Sequence, residues 1–184
     1  MKRLTATDED VISKLIDKKL GAVFQGKMEI GPRALGNRSI IADPRMEDGK
    51  DRVNVVKNRE WYRPFACSIL EEHAHDWFEM GRLKSSPWMS YAIPVKENKR
   101  KEIPAVIHVD GTCRLQTVNK EQNPFYYNLI KEFYDRTDVP LILNTSFNLA
   151  GDPLVSTLEA SVAVFEKSNL DFLYYPEINQ ILEK

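Results

Sequence analysis

The run Val139-Pro140-Leu141-Ile142-Leu143, followed at once by Asn144-Thr145-Ser146, restricts the fold more than any other stretch of the chain. A short apolar run that ends in turn-forming residues reads as a β-strand buried on both faces. Strands of that kind lie inside open α/β sheets, where helices cover them. Side chains just past the strand end then stand at the edge of a cleft, the usual seat of a ligand in such sheets. Asn144, Thr145, Ser146 and Asn148 are short polar residues in that place. They suit ribose, phosphate or a small amide, and they equally suit plain capping and turning of the chain.

The remaining elements fit around this strand. Thr7 caps an amphipathic helix over 7–19, with Asp10 at the capping-box position and Val11, Ile12, Leu15 and Ile16 on one face. Gly21 stops it. Strands at 22–25 and 40–42 bracket a glycine-rich stretch, and Pro44 opens a helix that turns Val53 and Val56 inward and ends near Lys57. A strand at 65–70 leads to a short helix over 71–80 burying Ala74, Trp77 and Phe78. Alternation at period two predicts a strand over 88–95, with Met89 and Tyr91 on one face. Asp110-Gly111, between apolar runs at 103–109 and 113–118, signals a hairpin. Asn123-Pro124 caps a helix that buries Leu129, Ile130, Phe133 and Tyr134. Thr157 caps another through 167, and 171–175 is a late strand before Pro176 starts the tail. No repeat, linker or boundary interrupts this order. The expectation is one mixed α/β domain over 1–184, with an N-terminal helix in 1–20 and a core over about 21–176.

Charge is distributed unevenly along it. Residues 26–63 carry nine Lys and Arg against six Asp and Glu, in a chain whose net charge is −1. Unpaired cations are costly in an apolar interior, so these form a salt-bridged surface or converge on an anion. Gly26, Gly31 and Gly36 recur at five-residue spacing, and Pro32 suits the first position of a helix. A short helix from Pro32 would point free N–H groups at an anion, with Arg33 and Arg38 nearby. Lys57 and Arg63, six apart across a helix end and a turn, would clamp a phosphate from two sides, the Arg bidentately. The plainer alternative pairs them with Glu60, Glu71 or Glu72 at the surface.

Composition excludes several classes. The two cysteines, Cys67 and Cys113, have neither CxxC nor metal-type spacing, which fits a reduced, cytoplasmic compartment. No apolar run approaches a membrane span, and the near-neutral charge is not that of a general polyanion binder. His108 and Asp110 fall short of a metal ligand set. His73 and His75 read as surface residues, and the KENKRKE run at 96–102 as a solvated loop. No phosphate loop, nucleophile elbow or zinc-protease motif occurs. Residue chemistry alone reaches an α/β domain with an anion-binding cleft.

Four motifs, GKMEIGPRALGNRSIIADPR, KNREWYRPFACSIL, HVDGTCRLQTV and VPLILNTSFNLAGDPLV, carry the reading further. In that order they resemble the C-terminal region of the O-carbamoyltransferases, the nodulation-factor (NodU-type) and tobramycin (TobZ-type) enzymes. The similarity runs from about residue 21 to the last helix. It implies a YrdC-like fold, a single twisted open sheet with flanking helices. It also implies an activity, in which ATP and carbamoyl phosphate yield carbamoyl adenylate with release of pyrophosphate and phosphate, Mg²⁺ accompanying the nucleotide.

By the same resemblance Lys57 and Arg63 match the Lys and Arg that hold the carbamoyl and phosphate groups. Arg114 and Ser146 match positions lining the adenylate pocket, with Asn144 beside them, and Arg33 matches a third basic position near it. Full-length members carry a large N-terminal actin-like ATPase-type domain that transfers the carbamoyl group to an acceptor hydroxyl. This chain has no room for one, so a separate domain or subunit is expected as its partner. Two residues depart from the family: Cys67 where proline is usual, and Ala150 where a basic residue is common. The alternatives are a non-catalytic nucleotide-binding or docking module and, less favoured, an RNA-binding protein using the basic centre.

Overall fold

The computed structural model describes residues 1–184. Nine strands form one sheet: β1 (Lys2–Thr5), β2 (Gly21–Phe24), β3 (Arg38–Ala42), β4 (Ala66–Leu70), β5 (Tyr91–Pro94), β6 (Thr112–Val118), β7 (Leu141–Ser146), β8 (Phe172–Tyr175) and β9 (Gln180–Glu183). Their order across the sheet is β1-β9-β8-β2-β3-β7-β4-β6-β5, open at β1 and β5. Only β2 with β8 and β4 with β6 run parallel; the other neighbours are antiparallel. Five helices accompany it: α1 (Asp8–Ile16), α2 (Gly49–Val56), α3 (Ala74–Trp77), α4 (Pro124–Thr137) and α5 (Leu158–Lys167). The fold is a mixed α/β open sheet, as expected. Nearly all of its buried apolar side chains join into one connected core. No helix is long and apolar enough to cross a membrane.

Local chemistry explains most elements. Thr7 and Asp10 form a reciprocal capping box at the start of α1, and Val11, Ile12 and Leu15 are buried. Asn123 accepts the Tyr126 N–H at the start of α4, where Pro124 has no N–H to lose, and Thr157 accepts that of Ala160 at α5. α4 lies against β4 and β7, with α1 beside it. β7 is the predicted buried strand, moved two residues so that it begins at Leu141 and includes Asn144–Ser146.

Several expectations are corrected. α1 ends at Ile16, where Lys18 takes a positive φ of 63°; Gly21 opens β2 instead of stopping the helix. α2 begins at Gly49, not at Pro44. Residues 103–109 form no strand, so the hairpin is absent. Pro104 starts a 3₁₀ turn there, and β6 pairs with β5 and β4 beyond an Asp110-Gly111 turn. Met89 and Tyr91 share no face: Met89 is buried with φ 55°, while Tyr91 is exposed on the short β5. No helix forms at Pro32.

Four neighbouring strands of the sheet bring one end of each together. The register places Ser39 opposite Ser146, Asn144 opposite Ala66, and Ala66 opposite Arg114. The starts of β3, β4 and β6 therefore converge with the end of β7. In a parallel sheet only C-terminal strand ends would gather this way. Gly36 tightens this end of the sheet. Its φ is 112°, and an added Cβ would lie 2.4 Å from the ring of the fully buried Tyr126. Gly36→Ala is expected to cost about 3 kcal/mol, from left-handed strain plus overpacking, read as a lower urea midpoint at unchanged slope.

Candidate functional site

Lys57 is the C-cap residue of α2, so the end of that helix positions its side chain. Asn58, at φ 49°, then turns the chain away. The Lys57 ammonium lies among four oxygens: Ser146 O at 2.6 Å, Ser146 Oγ at 3.1 Å, Asn148 O at 3.1 Å and Asn148 Oδ1 at 2.8 Å. Ser146 Oγ donates to Asn148 Oδ1 at 2.7 Å, and the Ala150 N–H donates to Lys57 O, so the loop after β7 is tied to the helix end. Only 3% of Lys57 is exposed. Burial, with the nearby Arg59 charge, lowers its pKa to about 7. A lysine poised near neutrality beside an open hollow is a feature of functional sites.

Three arginines extend this charge, and a fourth guanidinium, Arg59, completes it. A hollow of about 550 Å³ is walled by Lys57, Arg59, Arg63, Ser146 and Asn148. A second, of about 260 Å³, is walled by Arg33, Arg59, Arg63, Arg114 and Ser146. Because Arg59, Arg63 and Ser146 border both, the two make one groove lined by five cations. Its one carboxylate is Glu60, paired with Arg63 at 2.8 Å. Arg59 donates to Asn54 Oδ1 at 2.8 Å and stacks 4.3 Å above the Phe65 ring. Burial first, then Arg63 and Arg114, lowers its pKa to about 10. Burial and then Arg33 likewise lower that of Arg114, whose Nε is buried without a partner. Apart from Arg63, which pairs with Glu60, these cations have no carboxylate partner, an arrangement that attracts anions.

The floor is neutral and rigid. Asn144 Nδ2 donates to Ala34 O (3.1 Å), Ser68 Oγ (2.9 Å) and Gln116 Oε1 (3.1 Å). Gln116 Nε2 donates to Leu35 O at 3.0 Å. These bonds from β6 and β7 hold the backbone that carries Arg33. Asn144 itself is fully buried and borders neither hollow, so the structure places it under the site instead of in it. The N–H groups expected to face an external anion near Pro32 already have one: Glu29 Oε1 accepts from Leu35 (2.7 Å) and Asn37 (2.8 Å). Arg38 is absent from the groove too. It is buried, 3.6 Å above the Phe24 ring, and donates to the carbonyls of Gln25 and Gly26.

Lys57, Arg63, Arg33, Arg114 and Ser146 therefore do converge. Sequence reading named Asn148 only as a short polar residue and left Arg59 among the general basic charges. A signal existed: each stands two residues from a chosen one, in Lys57-Asn58-Arg59 and Ser146-Phe147-Asn148. Ala150, in the place of a basic residue, borders the larger hollow and adds no charge. His108 is occupied structurally, with Thr112 Oγ1 and Phe65 O each 3.0 Å from its ring nitrogens. No three His, Cys, Asp or Glu side chains gather as metal ligands.

Comparison with known proteins follows the same direction. The family described as "Carbamoyltransferase C-terminus" matches residues 12–181. The nodulation protein NolNO of Sinorhizobium fredii is 51% identical over 158 residues, covering 83% of this chain and 23% of that protein. The chain thus spans about a quarter of that relative's length, and 31% of NolO from Bradyrhizobium diazoefficiens, which is 47% identical over 171 residues. Full-length HypF, solved in a phosphate- and nucleotide-bound form, superposes with a TM-score of 0.67 at 16% identity, over 92% of this chain and 24% of that one. That likeness concerns the fold, which is YrdC-like. By the extent of the family match and by these relatives, the chain belongs to the carbamoyltransferase C-terminus family.

Proposed function

We propose that this chain activates a carbamoyl group with ATP. Carbamoyl phosphate is hydrolysed to carbamate and phosphate. A carbamate oxygen then attacks the α-phosphorus of ATP, the bond to the β-bridging oxygen breaks, and carbamoyl adenylate and pyrophosphate form. Carbamate is the nucleophile, so no serine or cysteine nucleophile is required. The observation that carries the reading is the groove of five cations with a single carboxylate at the end of β7. Negative charge builds on phosphate oxygens and on departing pyrophosphate, and fixed cations in a partly dry site stabilise it most. Lys57, already desolvated, serves the carbamoyl and α-phosphate oxygens. Arg63 and Arg59 hold the leaving phosphates, and Arg33 and Arg114 hold the adenylate.

The protein offers no cage for Mg²⁺, since Glu60 is paired and no acidic cluster exists. The ion belongs to this proposal only as a counter-ion carried by the triphosphate. Transfer to an acceptor hydroxyl is assigned to an actin-like domain or subunit outside this stretch of chain, in the cytoplasm.

The test is carbamoyl phosphate-dependent exchange of radiolabelled pyrophosphate into ATP. Exchange is expected from the chain itself. ATP binding without exchange would leave a non-catalytic nucleotide module instead. Because Arg38 is internal, the basic centre offers RNA fewer free cations than its sequence promised.

A further inference from the structure

Two thiols sit on the strands whose starts shape the groove, and the chemistry above uses neither. Cys67 lies in β4 and Cys113 near the start of β6, both free and both fully buried. The register sets Cys67 opposite Leu115, so Cys67 and Cys113 are diagonal neighbours on one face of the sheet. Their sulfurs stand 3.2 Å apart, with the Cys113 thiol donating to that of Cys67. Bonding requires only about 1 Å of further approach.

The pair lies one strand in from the rim of the sheet. β5 is four residues long, pairs with β6 alone and sets Ile93 opposite Cys113; its other three residues are exposed. A short edge strand opens locally far more often than the strands inside it, and Pro94 has no N–H to give its ladder. Opening of β5 uncovers Cys113 first. Burial, and after it the Cys113 thiol, raises the pKa of Cys67 well above the usual thiol range, which keeps Cys67 protonated.

Both thiols are mounted beside groove cations. Arg114 follows Cys113 in the chain and pairs across the strands with Ala66, the residue before Cys67. Phe65, two residues before Cys67, carries the Arg59 guanidinium 4.3 Å from its ring centre. In a close-packed interior a relative movement of β4 and β6 by about 1 Å is passed to these two mounts instead of being absorbed.

We propose that Cys67 and Cys113 form a reversible disulfide with a hydroperoxide as oxidant, and that its closure weakens the hold of the groove on anions. The Cys113 sulfur, as thiolate, attacks one peroxide oxygen. The O–O bond breaks, and the other oxygen leaves as hydroxide, which takes the thiol proton to become water (an alcohol, if the peroxide is organic). The Cys67 thiol then attacks the sulfenic sulfur. The S–S bond forms, the S–O bond breaks, and the hydroxyl departs with the Cys67 proton as water. Two thiols are oxidised and one peroxide is reduced; a dithiol restores both thiols by exchange. The inference rests on the anion-binding reading of the groove and adds a control over it.

Mass spectrometry and calorimetry on the same samples test this. After hydrogen peroxide, the folded full chain is expected to lose two hydrogens and both titratable thiols together, with the Cys67 and Cys113 peptides linked, and dithiothreitol should reverse the change. Inorganic tripolyphosphate should bind the oxidised chain about tenfold more weakly than the reduced one, the scale of one lost hydrogen bond to a charged group, and binding should recover on reduction. Cys67→Ala and Cys113→Ala should each bind it as reduced wild type does, with or without peroxide, and either one suffices as the control if the other does not fold. Three results overturn the proposal: a link that forms only in urea, a link that leaves tripolyphosphate affinity unchanged, or cysteine variants that lose affinity to peroxide as wild type does. Failure of reduced wild type to bind tripolyphosphate removes the anion reading of the groove and the control with it, while the mass measurement still decides whether the pair closes.

Discussion

Lys57→Ala is expected to lower carbamoyl phosphate-dependent ATP–pyrophosphate exchange by about two orders of magnitude or more, as for loss of a preorganised electrostatic group. Lys57→Arg should not restore it. The ammonium sits among four oxygens between 2.6 and 3.1 Å away, and a planar guanidinium cannot take that position without displacing the loop after β7. The effect also has a pH signature. With a pKa of about 7 in the free protein, Lys57 has largely lost its proton at pH 8. An incoming polyanion favours the charged form and raises that pKa. Binding of ATP at pH 8 should then take up a proton, uptake should vanish towards pH 6, and affinity should fall as pH rises above 7. Calorimetry in buffers of different ionisation enthalpy measures the uptake, and Lys57→Met should abolish it. The stability effect has its own sign. The folded pKa lies below the unfolded one, so folding releases this proton between pH 7 and 10.5 and the Lys57 contribution becomes more favourable as pH rises through that window. Near-normal exchange by Lys57→Ala would take Lys57 out of the chemistry.

How far these residues could be read beforehand depended on whether the deciding interaction was local. The capping box at Thr7, the Asn123-Pro124 cap and the β7 run are set by residues within a few positions, and all three hold. The strands β1 and β9 were not foreseen. All four residues of β1 are exposed, so no buried face marked it, and β9 owes its place to pairing with β8 and β1. At Pro32 the local signal was sound but lost to a contact: Glu29 occupies the free N–H groups and the chain has no reason to start a helix. In the site, charge was readable and burial was not. Arg38 and Arg59 stand in similar sequence surroundings, yet stacking on Phe24 draws one inside while Arg59 reaches the groove.

Arg114→Met is expected to raise the melting temperature of the ligand-free protein by a few degrees and to weaken ATP binding by about ten- to a hundredfold. Arg114 starts β6 with its Nε buried and unpartnered, makes no ion pair, and faces Arg33 across the 260 Å³ hollow. A desolvated cation with a like charge for a neighbour is a net cost to folding, and an apolar side chain of similar length removes it. A relief of about 1–2 kcal/mol corresponds to roughly 2–8 °C for a chain of this size. Under the proposed function the same cation engages a phosphate: a ligand that neutralises Arg33 and Arg114 together relieves the repulsion between them. ATP should therefore raise the melting temperature of wild type more than that of Arg114→Met, and the two curves should approach or cross as ATP is added. Arg114→Lys, which keeps the charge but not the fork of donors, should show little of the stability gain and a partial loss of affinity. A ligand-free Arg114→Met protein that melts below wild type would mean that Arg114 supports the fold and that the crowding of cations at these strand ends serves no anion.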